Sequence, residues 1–307
     1  MRTHRFFALA LILAILPLML TSLANAGVYS DVVVYGDSLS DNGNLFAFDG
    51  GTYPPPPYWM GRMSNGPVAV EDLAHNLRFP LLDFAWIGAT SGVGNIVDGG
   101  TQTKLGTLRL PGMLTQLAAT SNLVSPTSLV IVWGGTNDFE SNGFSQTTAQ
   151  LAVSDILSIV AELRGLGVMK IMVPGMPDLG LTPEFHGNSQ ATALSVYFNH
   201  LLLAGLPRGA TYVNEFGLLH EIVRDPAAFG LTDVADPCYN GMTVCSNPNQ
   251  YLFWDDVHPT ARGHQILADS IGSALVPEPA SLLMLMTGAV GAGSFLRRKK
   301  AGFFSKN

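Results

Sequence analysis

Short, continuous runs of apolar residues alternate with longer segments of helical spacing over most of the chain. The runs at residues 31–35, 128–133 and 168–173 are rich in Val and Ile, and each stops at a glycine or a Pro-Gly pair. Strands that are apolar on every side are typical of parallel sheets, which helices cover on both faces. The pattern therefore predicts an α/β fold, arranged as a three-layer α/β/α sandwich around a parallel sheet.

The same pattern gives the remaining elements of the sandwich. Two more apolar runs, at residues 84–87 and 210–213, are interpreted as strands. The helices are predicted at residues 67–77, 111–119, 146–166, 189–206 and 260–275, the first of them with proline at its first helical position.

The N-terminal segment has the three parts of a secretory signal peptide in their usual order. Arg2 and Arg5 precede an apolar run at residues 6–20, and Ala-Asn-Ala at residues 24–26 offers a small-residue cleavage site. We therefore expect residues 1–26 to be a signal peptide that signal peptidase removes. An uncleaved N-terminal anchor is the alternative, although the apolar run is short for a membrane span.

A second export signal is expected at the other end of the chain. Val-Pro-Glu-Pro at residues 276–279 precedes an apolar run at residues 280–296, which stops at four basic residues, 297–300. These three parts together resemble the PEP-CTERM sorting signal of Gram-negative bacteria. The resemblance implies a transient transmembrane helix in the inner membrane with its basic end in the cytoplasm. It also implies removal by an exosortase and delivery to the cell surface or extracellular matrix. A plain stop-transfer anchor is the alternative.

The chain between these signals, residues 27–276, is long enough for one large domain, and residues 277–307 form the sorting segment. The whole chain has 16 Lys and Arg against 23 Asp and Glu, a formal charge of -7. The domain keeps 9 of the basic and 22 of the acidic residues, which leaves a formal charge near -13. Such a surface repels phosphate backbones, so no nucleic-acid partner is expected.

The chain has two cysteines, Cys238 and Cys245, in a turn-rich stretch. In an exported protein, two cysteines this close in sequence predict a local disulfide. His220 and Glu221 match the start of a zinc-binding His-Glu-x-x-His helix, but Arg224 occupies the place of the second histidine. We therefore expect no metal.

Ligands of an open parallel sheet bind beyond the carboxyl ends of its strands. Ser38 follows the first predicted strand of this chain, Gly88 follows the second and Asn137 follows the third. A serine at a strand-to-helix turn can present its hydroxyl as a nucleophile. Its backbone N–H, the Gly88 N–H and the Asn137 amide can donate to a developing negative charge, so an oxyanion hole is predicted here.

A nucleophilic serine needs a base, and His258 is the candidate. A carboxylate must hold the imidazole of that base in the correct tautomer. Asp255 and Asp256 both lie close enough in sequence to do so, and the chemistry alone does not choose between them.

Four blocks of the chain, in order, resemble those of the GDSL/SGNH hydrolases. They are Val-Tyr-Gly-Asp-Ser-Leu-Ser-Asp at residues 34–41, the glycine at position 88, Gly-Thr-Asn-Asp at residues 135–138, and Asp255-x-x-His258. Residues 61–67, 173–180 and 253–255 resemble the branch of plant-type lipases and bacterial phospholipase/acyltransferase relatives. Ile87 departs from the second block, where a glycine is usual. The α/β-hydrolase alternative is disfavoured because the chain has no Gly-x-Ser-x-Gly elbow.

The resemblance implies a flavodoxin-like sheet, no cofactor, and ester hydrolysis through an acyl-enzyme on Ser38. It assigns the base to His258 and the orienting carboxylate to Asp255 rather than Asp256, with Ser38, Gly88 and Asn137 in the oxyanion hole. The substrate is then a carboxylic ester: a lipid, a short-chain ester or an acylated polysaccharide. The alternatives are an acyltransferase with the same three residues and a non-catalytic surface protein of the same fold.

The two terminal signals give a first prediction. The mature, surface-released protein should lack residues 1–26 and the segment after about residue 279. An intact mass measured on the released form checks this. A mass that still includes the four basic residues 297–300 would contradict the sorting-signal interpretation.

Overall fold

The computed structural model describes residues 29–275, and its centre is a parallel sheet. The strands are β1 (Val32–Gly36), β2 (Leu81–Asp83), β3 (Leu129–Trp133), β4 (Lys170–Pro174) and β5 (Ala210–Val213). They lie in the order β2-β1-β3-β4-β5, and every neighbouring pair is parallel. This is the doubly wound, flavodoxin-like order, so the predicted fold class is confirmed.

The helices of the described region connect and cover these strands. Their bounds are α1 (Asn44–Phe48), α2 (Ala69–Leu77), α3 (Met113–Thr120), α4 (Thr136–Asn142), α5 (Gln146–Gly165), α6 (Ser189–Gly205), α7 (Glu215–Arg224) and α8 (Ala261–Leu275). A small second sheet pairs β6 (Asp233–Pro237) with β7 (Tyr251–Phe253).

The sheet is covered on both faces. Alternate strand residues, among them Val33, Val130 and Ile171, pack in one cluster with residues of α3, α5 and α6. Their neighbours Val32 and Ile131 point to the opposite face, and they are fully buried as well. Such strands therefore read as continuous apolar runs rather than as alternating ones.

The predicted second strand is displaced from its observed position. We predicted it at residues 84–87, whereas β2 ends at Asp83. The backbone does continue alongside β1, because the N–H groups of Phe84 and Trp86 donate to the carbonyls of Val34 and Gly36 at 2.9 and 3.2 Å. The apolar run does not extend the strand. Its last residue, Ile87, is buried in a separate cluster near the carboxyl end of the sheet.

The helix predicted from residue 67 begins two residues later, at Ala69. Val68 precedes it with extended backbone, and its N–H donates to the Glu71 side chain at 3.0 Å. Pro67 therefore lies outside the helix, and the carboxylate of Glu71 satisfies the backbone at its start.

Three helices and the small sheet were not predicted. Helices α1 and α4 contain five and seven residues, too few for an apolar period to be recognised. Both begin after a glycine in the left-handed region, Gly43 at φ 113° and Gly135 at φ 115°. These glycines let the chain turn sharply out of the sheet edge.

Cys238 and Cys245 are joined by a disulfide, and their Cα atoms lie 4.8 Å apart. Within residues 29–275, no helix has the length and apolar character needed to cross a membrane. The predicted signal peptide at residues 1–26 and the sorting segment at residues 277–307, with its apolar run, lie outside the described residues.

Candidate active site

Ser38 stands on a tight turn at the carboxyl end of β1. The Asp37 carbonyl accepts the N–H groups of Ser40 and Asp41 at 3.0 and 2.9 Å, and the Asp37 side chain accepts the N–H of Leu39 at 3.1 Å. Burial raises the pKa of Asp37 to about 6. The turn leaves the Ser38 side chain on the wall of a cavity of about 210 Å³.

The structure brings Ser38, His258 and Asp255 into one hydrogen-bonded chain. The Ser38 Oγ lies 2.9 Å from His258 Nε2, and His258 Nδ1 lies 2.9 Å from both carboxylate oxygens of Asp255. A serine next to a base that a carboxylate orients is the arrangement that nucleophilic catalysis requires.

The loop after β7 carries both the predicted base, His258, and the carboxylate that contacts it. Asp255 Oδ1 accepts the N–H groups of Val257 and His258 at 3.0 and 2.8 Å, and the Trp254 N–H donates to the His258 carbonyl at 2.7 Å. Asp256 is exposed, and its carbonyl accepts a backbone N–H from Glu184. Of the two rival carboxylates, therefore, Asp255 contacts the imidazole.

These contacts shift both pKa values of the pair. Burial opposes ionisation of Asp255, but His258 and the backbone N–H donors outweigh it and lower the pKa of Asp255 to about 2. Burial also acts to lower the pKa of His258, but the Asp255 charge dominates and raises it above its ordinary value. An imidazole can accept a proton only when it is neutral, so the predicted role of His258 as a base requires a pH above this raised pKa.

Tyr58 is a contact that the sequence analysis did not identify. Its hydroxyl donates to Asp255 Oδ2 at 2.8 Å, and its ring packs edge-on against Trp254 and Tyr239. Burial raises the pKa of Tyr58, so the hydroxyl remains a donor. Tyr58 directly follows a run of four prolines, residues 54–57, but nothing in that run indicates a contact with a residue 197 positions away.

The residues of the three predicted oxyanion donors, Ser38, Gly88 and Asn137, all line this cavity. Asn137 is the second residue of α4. Its Nδ2 donates one hydrogen to the Ala89 carbonyl at 2.9 Å, which leaves the other amide hydrogen free to donate to a ligand. Gly88 has φ 77°, and a Cβ there would lie 2.6 Å from Asn95 Oδ1. Among the described residues, the backbone N–H groups of Ser38 and Gly88 have no hydrogen-bond acceptor.

The buried carboxyl of Asp138 fixes the start of α4. It accepts the N–H and the hydroxyl of Ser91 at 2.9 and 2.8 Å, and burial raises the pKa of Asp138 to about 7. Because Asn137 and Asp138 are adjacent, this contact with Ser91 holds the amide of Asn137 at the cavity wall.

The remaining predicted residues lie elsewhere. The cysteines of the disulfide do not line the cavity. His220 does not approach a metal-binding group of ligands but pairs with Asp178 at 2.9 Å. Residues 29–275 contain no cluster of three or more His, Cys, Asp or Glu side chains arranged to hold a metal ion.

Comparison with known proteins gives a family for most of the chain. The model of the family described as GDSL-like lipase/acylhydrolase matches residues 32–271, and that of the PEP-CTERM protein-sorting motif matches residues 275–300. The phosphatidylcholine-sterol acyltransferase of Aeromonas hydrophila is 31% identical over 277 residues, which cover 83% of this chain and 82% of that protein.

A second relative and a solved structure are less similar to this chain. A GDSL esterase/lipase of Arabidopsis thaliana is 26% identical over 80% of this chain and 89% of its own length. A solved acetylxylan esterase from Geobacillus stearothermophilus is 15% identical, with a TM-score of 0.46, over 83% of this chain and 97% of its own.

The electrostatic attraction between Asp255 and His258 gives a second prediction. In the wild-type protein, the imidazole of His258 should titrate above the ordinary value of about 6.5. In Asp255→Asn its pKa should fall, because burial then acts without an opposing charge. Titration of the imidazole followed by NMR measures both values. Asp256→Asn is the control and should leave the pKa unchanged; an unchanged pKa in Asp255→Asn would contradict the pairing.

Proposed function

Because the chain belongs to the GDSL-like lipase/acylhydrolase family, we propose that it hydrolyses carboxylic esters through an acyl-enzyme formed on Ser38. The observation that supports this most directly is the continuous chain of hydrogen bonds from Ser38 through His258 to Asp255, at the wall of a cavity. Family membership supports the reaction class, and the geometry supports the assignment of roles.

In the proposed first half-reaction, His258 Nε2 takes the hydroxyl proton of Ser38 while Oγ attacks the ester carbonyl carbon. The negative charge forms on the former carbonyl oxygen, where the N–H groups of Ser38 and Gly88 and the Asn137 amide donate to it. His258 then returns the proton to the leaving alcohol, and the acyl group remains on Ser38.

The second half-reaction replaces the alcohol by water. His258 takes a proton from the water as its oxygen attacks the acyl carbon, and it then gives the proton to Ser38 Oγ as the carboxylic acid leaves. In both halves the imidazolium forms next to Asp255, whose pKa of about 2 keeps it ionised at neutral pH. That fixed negative charge stabilises the imidazolium where it forms.

The cavity supports an apolar acyl group as the part of the substrate next to Ser38. Its wall is mostly apolar, with Met63, Ile87, Trp133 and Leu179 among the lining residues. Glu140 also lines it, and burial raises the pKa of that carboxyl. A charged acyl group would lose its hydration against this mostly apolar wall, so we propose an uncharged one.

Acyl transfer to an alcohol is the second candidate, and the similarity to the Aeromonas hydrophila phosphatidylcholine-sterol acyltransferase favours it. The two reactions share the acyl-enzyme and differ in what attacks it. Incubation of an ester substrate with and without glycerol separates them, because transfer yields a glycerol ester whereas hydrolysis yields only the free acid.

The PEP-CTERM motif indicates that the protein is exported and sorted in a Gram-negative bacterium. We propose that the apolar run at residues 280–296 holds it transiently in the inner membrane until an exosortase cuts near residue 279. The enzyme would then act at the cell surface or in the extracellular matrix, on lipids, short-chain esters or acylated polysaccharides.

The nucleophile gives a third prediction. A fluorophosphonate probe should label the wild-type protein at Ser38, and Ser38→Ala should abolish both labelling and hydrolysis of nitrophenyl acetate. The circular dichroism spectrum should stay unchanged, because the mutation removes one hydroxyl at the cavity wall. Labelling of another serine in the variant would overturn the assignment.

The oxyanion hole gives a fourth prediction. Asn137→Ala should lower kcat about 10²–10³-fold with little change in KM, because its amide hydrogen meets a full charge only in the transition state. Steady-state kinetics on one activated ester measure the split. Asp256→Asn is the matched control and should have almost no effect. A change confined to KM in Asn137→Ala would refute the role.

A further inference from the structure

A second carboxyl group lines the same cavity, and the proposed mechanism does not use it. Glu215 is the first residue of α7, directly after the capping residue Asn214, and it is 1% exposed. Among the described residues, neither of its carboxyl oxygens has a hydrogen-bond partner. Buried polar groups are nearly always paired in native proteins, so this unpaired carboxyl calls for a partner, and the cavity that Glu215 lines is a place from which one can reach it.

The surroundings of Glu215 are apolar. The cavity wall near it is formed by Leu218, Leu219 and Ile222 of α7, Leu252 of β7 and Leu267 of α8. Such a wall accepts a hydrocarbon chain, and Glu215 is the group in it that can exchange hydrogen bonds with a substrate.

Burial raises the pKa of Glu215 to about 8, so the carboxyl is mainly protonated at neutral pH. The Ser270 hydroxyl on α8 opposes this rise, but it stands outside hydrogen-bond geometry with either carboxyl oxygen. A protonated carboxyl offers one O–H donor and one carbonyl acceptor. An uncharged group that both donates and accepts, such as an alcohol hydroxyl, matches both.

We propose that Glu215 recognises a hydroxyl group carried on the acyl chain of the ester substrate. The inference rests on the proposed function, since it needs the ester carbonyl at Ser38. With the carbonyl there, the apolar chain extends along the cavity, and a hydroxyl at the matching position pairs with Glu215. A plain chain would leave the carboxyl unpaired, so the cavity discriminates between the two acyl groups.

The test compares nitrophenyl decanoate with its monohydroxy derivatives. The hydroxyl is placed on the third carbon or on carbons six to ten, positions that do not close a five- or six-membered lactone. In the wild-type enzyme, one isomer should exceed decanoate in kcat/KM by about tenfold, the value of one additional buried hydrogen bond. Glu215→Leu should lose this preference and hydrolyse decanoate faster, whereas Glu215→Gln, which keeps a donor and an acceptor, should retain most of it.

Nitrophenyl acetate separates the two ways to fail, because its acyl group is too short to extend along the apolar wall. If acetate is not hydrolysed and Ser38 is not labelled, the proposed function fails. If acetate is hydrolysed but no isomer is preferred, or the preference survives in Glu215→Leu, the role of Glu215 fails.

Two further variants control for a purely structural role. Glu221→Leu changes an exposed glutamate on the same helix and should leave the preference unchanged. Ser270→Ala tests whether Glu215 serves only the Ser270 hydroxyl. If Ser270→Ala and Glu215→Leu lower the Tm equally while the ratio of hydroxydecanoate to decanoate stays constant in both, the carboxyl is structural and the inference is overturned.

Discussion

The carboxylate of Asp255 is the group on which the rest of the site depends. It is a mostly buried charge, and such a charge is tolerated only where enough donors surround it. Four donors do so here: the backbone N–H groups of Val257 and His258, the His258 ring and the Tyr58 hydroxyl. The same contacts that stabilise the charge fix the loop, the tautomer of the imidazole and the aim of Nε2 at Ser38.

The parallel sheet explains why the remaining groups meet this loop. The carboxyl ends of β1 and β3 lie side by side, because these strands pair in register from Val32 with Leu129 to Gly36 with Trp133. The turn that carries Ser38 and the helix that carries Asn137 therefore begin at the same edge. Gly36, the last residue of β1, pairs with Trp133 of β3. A Cβ on Gly36 would approach the Trp133 carbonyl oxygen to 2.7 Å, so a larger residue there would push the two strand ends apart.

The sequence predicted most of the strands of the central sheet and the residues that follow them, because both are marked by local patterns; the flavodoxin-like arrangement of the sheet came from the family resemblance. Continuous apolar runs identify buried strands, and Ser38 and Asn137 follow such runs directly. Tyr58 and Glu215 could not be found in this way. Tyr58 meets Asp255 across 197 positions, and Glu215 is notable only because no residue within 29–275 pairs with its carboxyl oxygens once α7 and α8 are packed. Long-range contacts and missing partners have no local signature in the sequence.

The hydrogen bond between Ser38 and His258 joins residues that are 220 positions apart. The proposed nucleophile lies near the start of the domain and its proposed base near the end, so neither half of the chain contains both groups. A chain threaded through a membrane from its N-terminus presents Ser38 long before His258. The proposed chemistry therefore begins only when folding is complete, and a truncated product would be inert toward the lipids that surround it.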